Sequence, residues 1–380
     1  MMNHEDEEDD GNRFEMAMEM SDDDENLATP PMLEQGAKGG INTLPMPIFE
    51  NGRFQNPWRT WRRPKVSNIF RLLFCTKDDG KIPRKNVLER MLPVLKPNLL
   101  EFRSMPISGV RHLWIGHSTS LVQFDGVTLI TDPMFSERCS PVQFLGVKRF
   151  RPVPCTVDEL PHLDFVLISH THYDHLDCGS VMSLNQKFGE TLRWYVPMGL
   201  KEWMNDCGCM NVVEMTWWQE DVFDDNTNIK VVCTPCQHWG KRTTHDENKV
   251  LWCSWCVIGP RHSFYFSGDT AYCKVFKQIG RRLGPFTLAT IPIGAYSPRN
   301  IMSNMHVDPE HAVCIHEDLR SQASIGIHWG TFSIASEPFM EPKELLAAEV
   351  QRRNMKPSSF FTVNHGEITI VGSDDLYELD

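Results

Sequence analysis

The stretch Ser169-His-Thr-His-Tyr-Asp-His-Leu-Asp177 places three histidines and an aspartate within six positions, at His170, His172, Asp174 and His175. Imidazole nitrogens and carboxylate oxygens are the ligands that zinc and its neighbours take. One ion cannot use all four at these spacings, because adjacent residues such as Asp174 and His175 diverge in direction. Two neighbouring ions remove the strain, with His170 and His172 facing one and Asp174 and His175 the other. Each ion then requires ligands from elsewhere in the chain.

The same local pattern, a ligand directly after a short apolar run, supplies them. "VVCTPCQHWG" delivers His238, "SFYFSGDT" delivers Asp269 and "ASIGIHWGT" delivers His328. A single histidine is ordinarily a core or surface residue, so the series carries the inference. Five histidines and two aspartates form a nitrogen- and oxygen-rich set suited to zinc, with iron and manganese as competitors. Two such ions, roughly 3.5–4 Å apart, polarise a substrate oxygen and make hydroxide available at neutral pH. Asp269, with two oxygens, is the natural bridge.

These ligands need a scaffold that brings distant loops to one place. Apolar runs predict strands over 112–117, 120–124, 127–131, 164–169, 229–234, 252–258, 263–267, 286–291 and 323–328. Helical stretches fall at 180–188, 199–206, 273–283, 308–319 and 341–353. Several strands are apolar on both faces and imply sheets covered on each side. The class is therefore α/β or α+β, with two layers of sheet inside helices. Asp308, Pro309 and Glu310 mark a helix start as N-cap, first helical residue and dipole partner.

Charge divides the chain. Residues 1–37 hold 13 Asp/Glu and one Arg, which accounts for the whole net charge of −12. This segment cannot offset its ordering entropy and is expected to be a disordered, solvated tail. The neutral remainder lacks the long basic stripe of a nucleic-acid binder. No signal peptide or membrane span is predicted. Twelve scattered cysteines fit a reducing, intracellular compartment, with Cys207 and Cys209 read as ordinary thiols.

Across roughly residues 105–370 the ligand pattern resembles the metallo-β-lactamase superfamily, which implies a four-layer αββα sandwich. The segments "NPWRTW", "LPVLKP", "WIGHST", "SPVQFLGVKRFRP", "QHWGKRT", "GDTAYC", "IPIGAY", "HVDPEHAV" and "IHWGTF" resemble, more narrowly, the N-acylphosphatidylethanolamine-hydrolysing phospholipase D family. That resemblance implies a membrane-associated homodimer with two zinc ions. A metal-bridging hydroxide would cleave the lipid's phosphodiester to N-acylethanolamine and phosphatidic acid. His170, His172 and His238 would then hold one zinc, Asp174, His175 and His328 the other, and Asp269 would bridge them, with Asp174 and Asp269 catalytic. Gln143 and Phe144 would line the substrate groove, with Tyr173 beside the metals. Vertebrate members carry a tyrosine where Phe144 stands and the family a glutamine where Met305 stands, so two polar contacts are put in doubt.

Other residues have two readings. His306, just before the capped helix, orients the phosphate or assists the leaving alkoxide, or else caps a loop. Asp132 fixes a metal-ligating imidazole or simply forms a turn before Pro133. Lys241 and Arg242 contact a head group or are surface charge. "WRTWRRPKVSNIFRLLFC" (58–75) suits a membrane interface, the alternative being core or dimer packing. The expected organisation is thus a tail (1–45), a membrane- or dimer-contacting extension (46–104) and a hydrolase domain (105–380), peripheral on endomembranes. Rival functions are a nuclease, a thioesterase or lactonase, and a metal-bearing scaffold.

Overall fold

Alternation along single strands decides the layering, because successive side chains of a strand point to opposite faces. The computed structural model describes residues 44–63, 82–224 and 226–372. Hairpin β1 (Ile48–Glu50) and β2 (Arg53–Gln55) leads through helix α1 (Lys85–Met91) to an antiparallel meander of β3 (Val110–Gly116), β4 (Thr119–Phe124) and β5 (Val127–Thr131). A small hairpin, β6 (Arg138–Cys139) and β7 (Val147–Lys148), precedes β8 (Phe165–Leu167), which pairs in parallel with β5. Helix α2 (Cys178–Phe188), β9 (Arg193–Pro197), α3 (Lys201–Asp206) and β10 (Val212–Met215) extend this sheet.

The second sheet begins with antiparallel β11 (Glu220–Asp224), β12 (Ile229–Thr234), β13 (Ser254–Ile258) and β14 (Ser263–Phe266). Helix α4 (Val275–Arg282), β15 (Leu288–Pro292), α5 (Arg299–Met302), α6 (Pro309–Leu319), β16 (Ala323–Ile327), α7 (Glu341–Arg352) and β17 (Phe360–Phe361) continue it in parallel. Strand β18 (Ile368–Val371) returns to pair with β3. Each sheet has seven strands, ordered β10-β9-β8-β5-β4-β3-β18 and β11-β12-β13-β14-β15-β16-β17.

On β5 and β8, Leu129, Phe165 and Leu167 enter the core shared with Val231, Trp255 and Phe264 of the second sheet. Their neighbours Ile130 and Val166 face the other way, into a core with Val181 and Leu184 of α2 and Met204 of α3. Phe276 of α4, Val313 of α6 and Leu346 of α7 complete the far side. The expected helix–sheet–sheet–helix order is therefore observed. Burial of each such side chain contributes about 1.5–3 kcal/mol, which is why strands apolar on both faces end up inside.

All nine predicted strands and five predicted helices form. Strands β9 and β10, the edge strand β11 with its charged ends, and short β17 and β18 were not anticipated. The extension assigned to membrane or dimer contact is in part packed onto the body. Phe54 is buried, and Trp58 sits against Trp217 with ring centroids 6.1 Å apart while its Nε1–H donates to Cys236 O at 3.0 Å. The acidic tail through residue 43 and the apolar stripe at 69–74 lie outside the described residues. No helix among the described residues is long and apolar enough to cross a membrane.

Candidate metal centre

The chain turns from strand to loop at one edge of both sheets, and a potential ligand stands at each exit. The loop after β8 carries His170, His172, Asp174 and His175, while β12, β14 and β16 lead to His238, Asp269 and His328. Two groups result. The ligand atoms of His170, His172, His238 and Asp269 lie within 4.8 Å of one another, as do those of His117, Asp174, His175 and His328. Asp269 joins them, since its Oδ2 is 3.7 Å from His238 Nε2 and 3.2 Å from His175 Nε2, and its Oδ1 is 3.1 Å from His328 Nε2. All seven predicted ligands are thus brought together, in the two groups that the family resemblance implied.

The surrounding bonds fix which nitrogen faces inward. His175 donates from Nδ1 to Asp132 Oδ2 at 2.6 Å, and His238 donates from Nδ1 to Met305 O at 3.0 Å. Ser169 donates its hydroxyl to Asp132 Oδ2 at 2.5 Å, which leaves Oγ to accept from His170 Nδ1 at 2.8 Å. In each ring the Nδ1 hydrogen bond leaves Nε2 as the nitrogen that faces inward, the arrangement that metal-ligating imidazoles show. Of Asp132's two readings, the structure selects the one in which it orients a metal-loop imidazole.

Buried His175 Nε2, His328 Nε2 and Asp269 Oδ1 have no hydrogen-bond partner. Unpartnered buried polar atoms are costly, and several converging ones are what a bound cation would satisfy. The residues present therefore fit divalent metal ions.

The electrostatics agree. Burial opposes ionisation of Asp269 and Asp174, yet the surrounding imidazoles, His175 foremost, hold both carboxyls well below the usual carboxylate range. Burial likewise disfavours charge on His328, but Asp269 and Asp174 outweigh it and raise this imidazole to about 9. His172 is held at about 4, mainly by burial. Opposing shifts within one small cluster mark a functional site.

Backbone strain concentrates here as well. Three non-glycine residues of the centre lie in the left-handed region, His117 at φ 53°, Asp132 at φ 30° and His328 at φ 62°. Such conformations persist only where packing over-determines them. At Gly268 (φ 56°) a Cβ would lie 2.5 Å from Ser169 Cβ, so the turn that presents Asp269 requires glycine.

The remaining predicted residues are distributed unevenly. His306 is buried at the centre, with Nδ1 unpartnered and 3.8 Å from Asp269 Oδ2. At the α6 N-terminus beside it, Asp308 accepts from His311 N at 2.9 Å and pairs with Arg299 at 3.0 Å. Gln143 is exposed and bonds back to Arg138 N and O, both at 3.1 Å, while Phe144 is 83% exposed at the β6–β7 tip. Arg242 is neither head-group contact nor loose surface charge. It donates to Thr171 O and Leu176 O at 3.0 and 2.6 Å, and stacks on Tyr173 and Trp203. Tyr173 is thereby turned to bracing the metal loop, and Lys241 pairs with Glu247 at 3.7 Å.

One residue escaped the sequence reading. His117 opens the turn after β3, and its Nε2 is 2.8 Å from Asp174 Oδ2. The signal was present, since it too follows an apolar strand, in "HLWIGH".

Known proteins supply an independent comparison. A profile of the beta-lactamase superfamily domain matches residues 128–329. A Caenorhabditis elegans protein named N-acyl-phosphatidylethanolamine-hydrolyzing phospholipase D 1 is 42% identical, with 84% of this chain and 92% of that one aligned. A mitochondrial protein of the same activity name from Saccharomyces cerevisiae is 33% identical over 79% of this chain and 72% of its own. Among solved structures, a possible metal-dependent hydrolase from Veillonella parvula superimposes with a TM-score of 0.56 at 16% identity, covering 69% of this chain and all (100%) of that one. A metallo hydrolase from Ignicoccus hospitalis gives a TM-score of 0.53 at 19% identity, covering 69% of this chain and 98% of its own. These structures share the fold.

Proposed function

The chain belongs to the N-acyl-phosphatidylethanolamine-hydrolysing phospholipase D family of the beta-lactamase superfamily, and from this we propose that it hydrolyses N-acylphosphatidylethanolamine. Water's oxygen bonds to phosphorus, the P–O bond to the ethanolamide breaks, and the departing alkoxide takes a proton. The products are N-acylethanolamine and phosphatidic acid. The observation that carries this reading is the pair of ligand groups joined through both oxygens of Asp269. Two ions bound there, zinc in this proposal, would supply Lewis acidity and lower the pKa of bound water toward neutral pH.

The chain's own residues do the rest. His170, His172 and His238 on one side, and Asp174, His175 and His328 on the other, would hold the ions, and Asp269 lies between the two groups. Asp132 and Ser169 keep the ligand tautomers fixed. His306 faces this centre as a neutral imidazole, since burial lowers it to about 4. In this proposal it orients a phosphate oxygen or assists the leaving alkoxide. Gln143 and Phe144 belong to the substrate side, Tyr173 stands beside the metal loop, and peripheral membrane association and a homodimer complete the reading.

The test is mass spectrometry of lipids after incubating the purified protein with micelles of the substrate, with and without a metal chelator. Chelator-sensitive formation of N-acylethanolamine and phosphatidic acid is expected. Lyso-lipids, or no product, would overturn the assignment in favour of an esterase or a scaffold. His306→Ala is expected to lower turnover with metal content unchanged; normal turnover would remove its catalytic role.

A further inference from the structure

Cys178 and Cys207 bring their sulfurs to 3.9 Å, although 29 positions separate them in the chain, and both are free thiols. Cys178 opens α2 directly after its N-cap Asp177, and Cys207 closes α3. Both are half-buried, so small oxidants reach them. A disulfide needs about 2.05 Å between sulfurs, a closure of about 2 Å from the observed separation.

The setting makes the pair consequential. Cys178 stands three residues after His175 at the end of the metal loop. Arg242 bonds to that loop through Thr171 O and Leu176 O and stacks on Trp203 of α3, so the same two segments are already braced non-covalently.

We propose that Cys178 and Cys207 form a reversible redox pair, oxidised by hydrogen peroxide to a disulfide that ties α2 and the metal loop preceding it to α3. The Cys178 thiolate attacks one peroxide oxygen and the O–O bond breaks, leaving a sulfenic acid and releasing hydroxide, protonated to water. Cys207 then attacks the sulfenic sulfur, giving up its proton and expelling a second water. Two thiols lose two electrons in all, and the peroxide gains them. Cys178 is the attacking group, since its hydrogen bond with Cys207 lowers its thiol, against its partial burial and Asp177 and with help from Arg242. Met182 Sδ, 3.8 Å from Cys178 Sγ, lines the same side. Cys209 is excluded, because it is buried and burial pushes its thiol up to about 12. The proposal is independent of which ester the enzyme cleaves.

The experiment treats the metal-loaded full chain with hydrogen peroxide, alkylates the remaining thiols and maps peptides by mass spectrometry. A peptide pair joined through Cys178 and Cys207, and released by dithiothreitol, is expected. The oxidised protein should also unfold at a higher temperature, because the cross-link shortens the unfolded chain's free loop. Cys178→Ser and Cys207→Ser, each folded as judged by circular dichroism, should abolish both effects. Free alkylation of both cysteines after peroxide, or a disulfide joining any other pair, would overturn the proposal. A thermal shift that persists in Cys178→Ser would do the same.

Discussion

His117 Nε2 lies 2.8 Å from Asp174 Oδ2, so a histidine leaving β3 holds a carboxylate of the loop after β8. The same histidine packs its ring 4.0 Å from that of His328, donates its N–H to Thr331 Oγ1 at 2.8 Å and accepts His328 N–H on its carbonyl at 2.9 Å. It is neutral, since burial lowers it to about 3, and can hold Asp174 without competing as a cation. Three strands converge on it, and the second ligand group depends on it.

Replacing His117 with alanine is expected to weaken metal at the Asp174–His175–His328 group by about 10–100-fold, the range typical of residues that orient ligands. Plasma emission spectrometry of the dialysed protein should find less bound metal than in the unsubstituted protein. His117→Gln, which restores a donor near Nε2, should recover part of it. Full metal content in the alanine variant would count against this role.

Asp132→Asn should act through His175. Asp132 accepts from Ser169 N at 2.7 Å, from Ser169 Oγ and from His175 Nδ1, and an amide cannot accept all of these on a single oxygen. Metal affinity should fall about 10–100-fold. Competition with a chromophoric chelator would measure this, and an unchanged dissociation constant would show that Asp132 matters only for folding.

Metal binding should depend on pH with a defined sign. His328 is raised to about 9 in the metal-free protein, so at pH 7 it carries a proton that the ion must displace. Apparent affinity should therefore rise about tenfold per pH unit for each proton released, and level off above about pH 9. Zinc titrations at several pH values would give the slope. A flat profile between pH 6.5 and 8.5 would contradict it.

Gly268→Ala should cost about 1–3 kcal/mol through the strained turn alone. The added methyl also meets Ser169, displacing Asp269 next to it. Chemical denaturation should show the lost stability and metal analysis the lost ligand. A fully stable, fully loaded variant would mean that the turn relaxes.

The ligands were legible in the sequence because each obeys a local rule. A strand buried on both faces reads as an unbroken apolar run, and polar residues just beyond it must lie at the sheet edge. That rule yields His170, His238, Asp269 and His328, and the H-x-H-x-D-H spacing adds the rest. The α6 cap at Asp308 was equally local, set by the side chain of one residue and the backbone three positions on.

Relationships across the chain were not legible. The bond from His117 to Asp174, the hold of Arg242 on the metal loop and the approach of Cys178 to Cys207 each join segments whose separation in sequence says nothing of their distance in space. Charge misled where packing decided: Arg242 reads as surface cation, yet two carbonyls and two aromatic rings enclose it. Trp58 reads as interfacial or as core packing, and Trp217 and the Cys236 carbonyl engage it. Local chemistry determined which residues could bind metal, and only the stacking of two sheets determined which of them meet and what holds them in place.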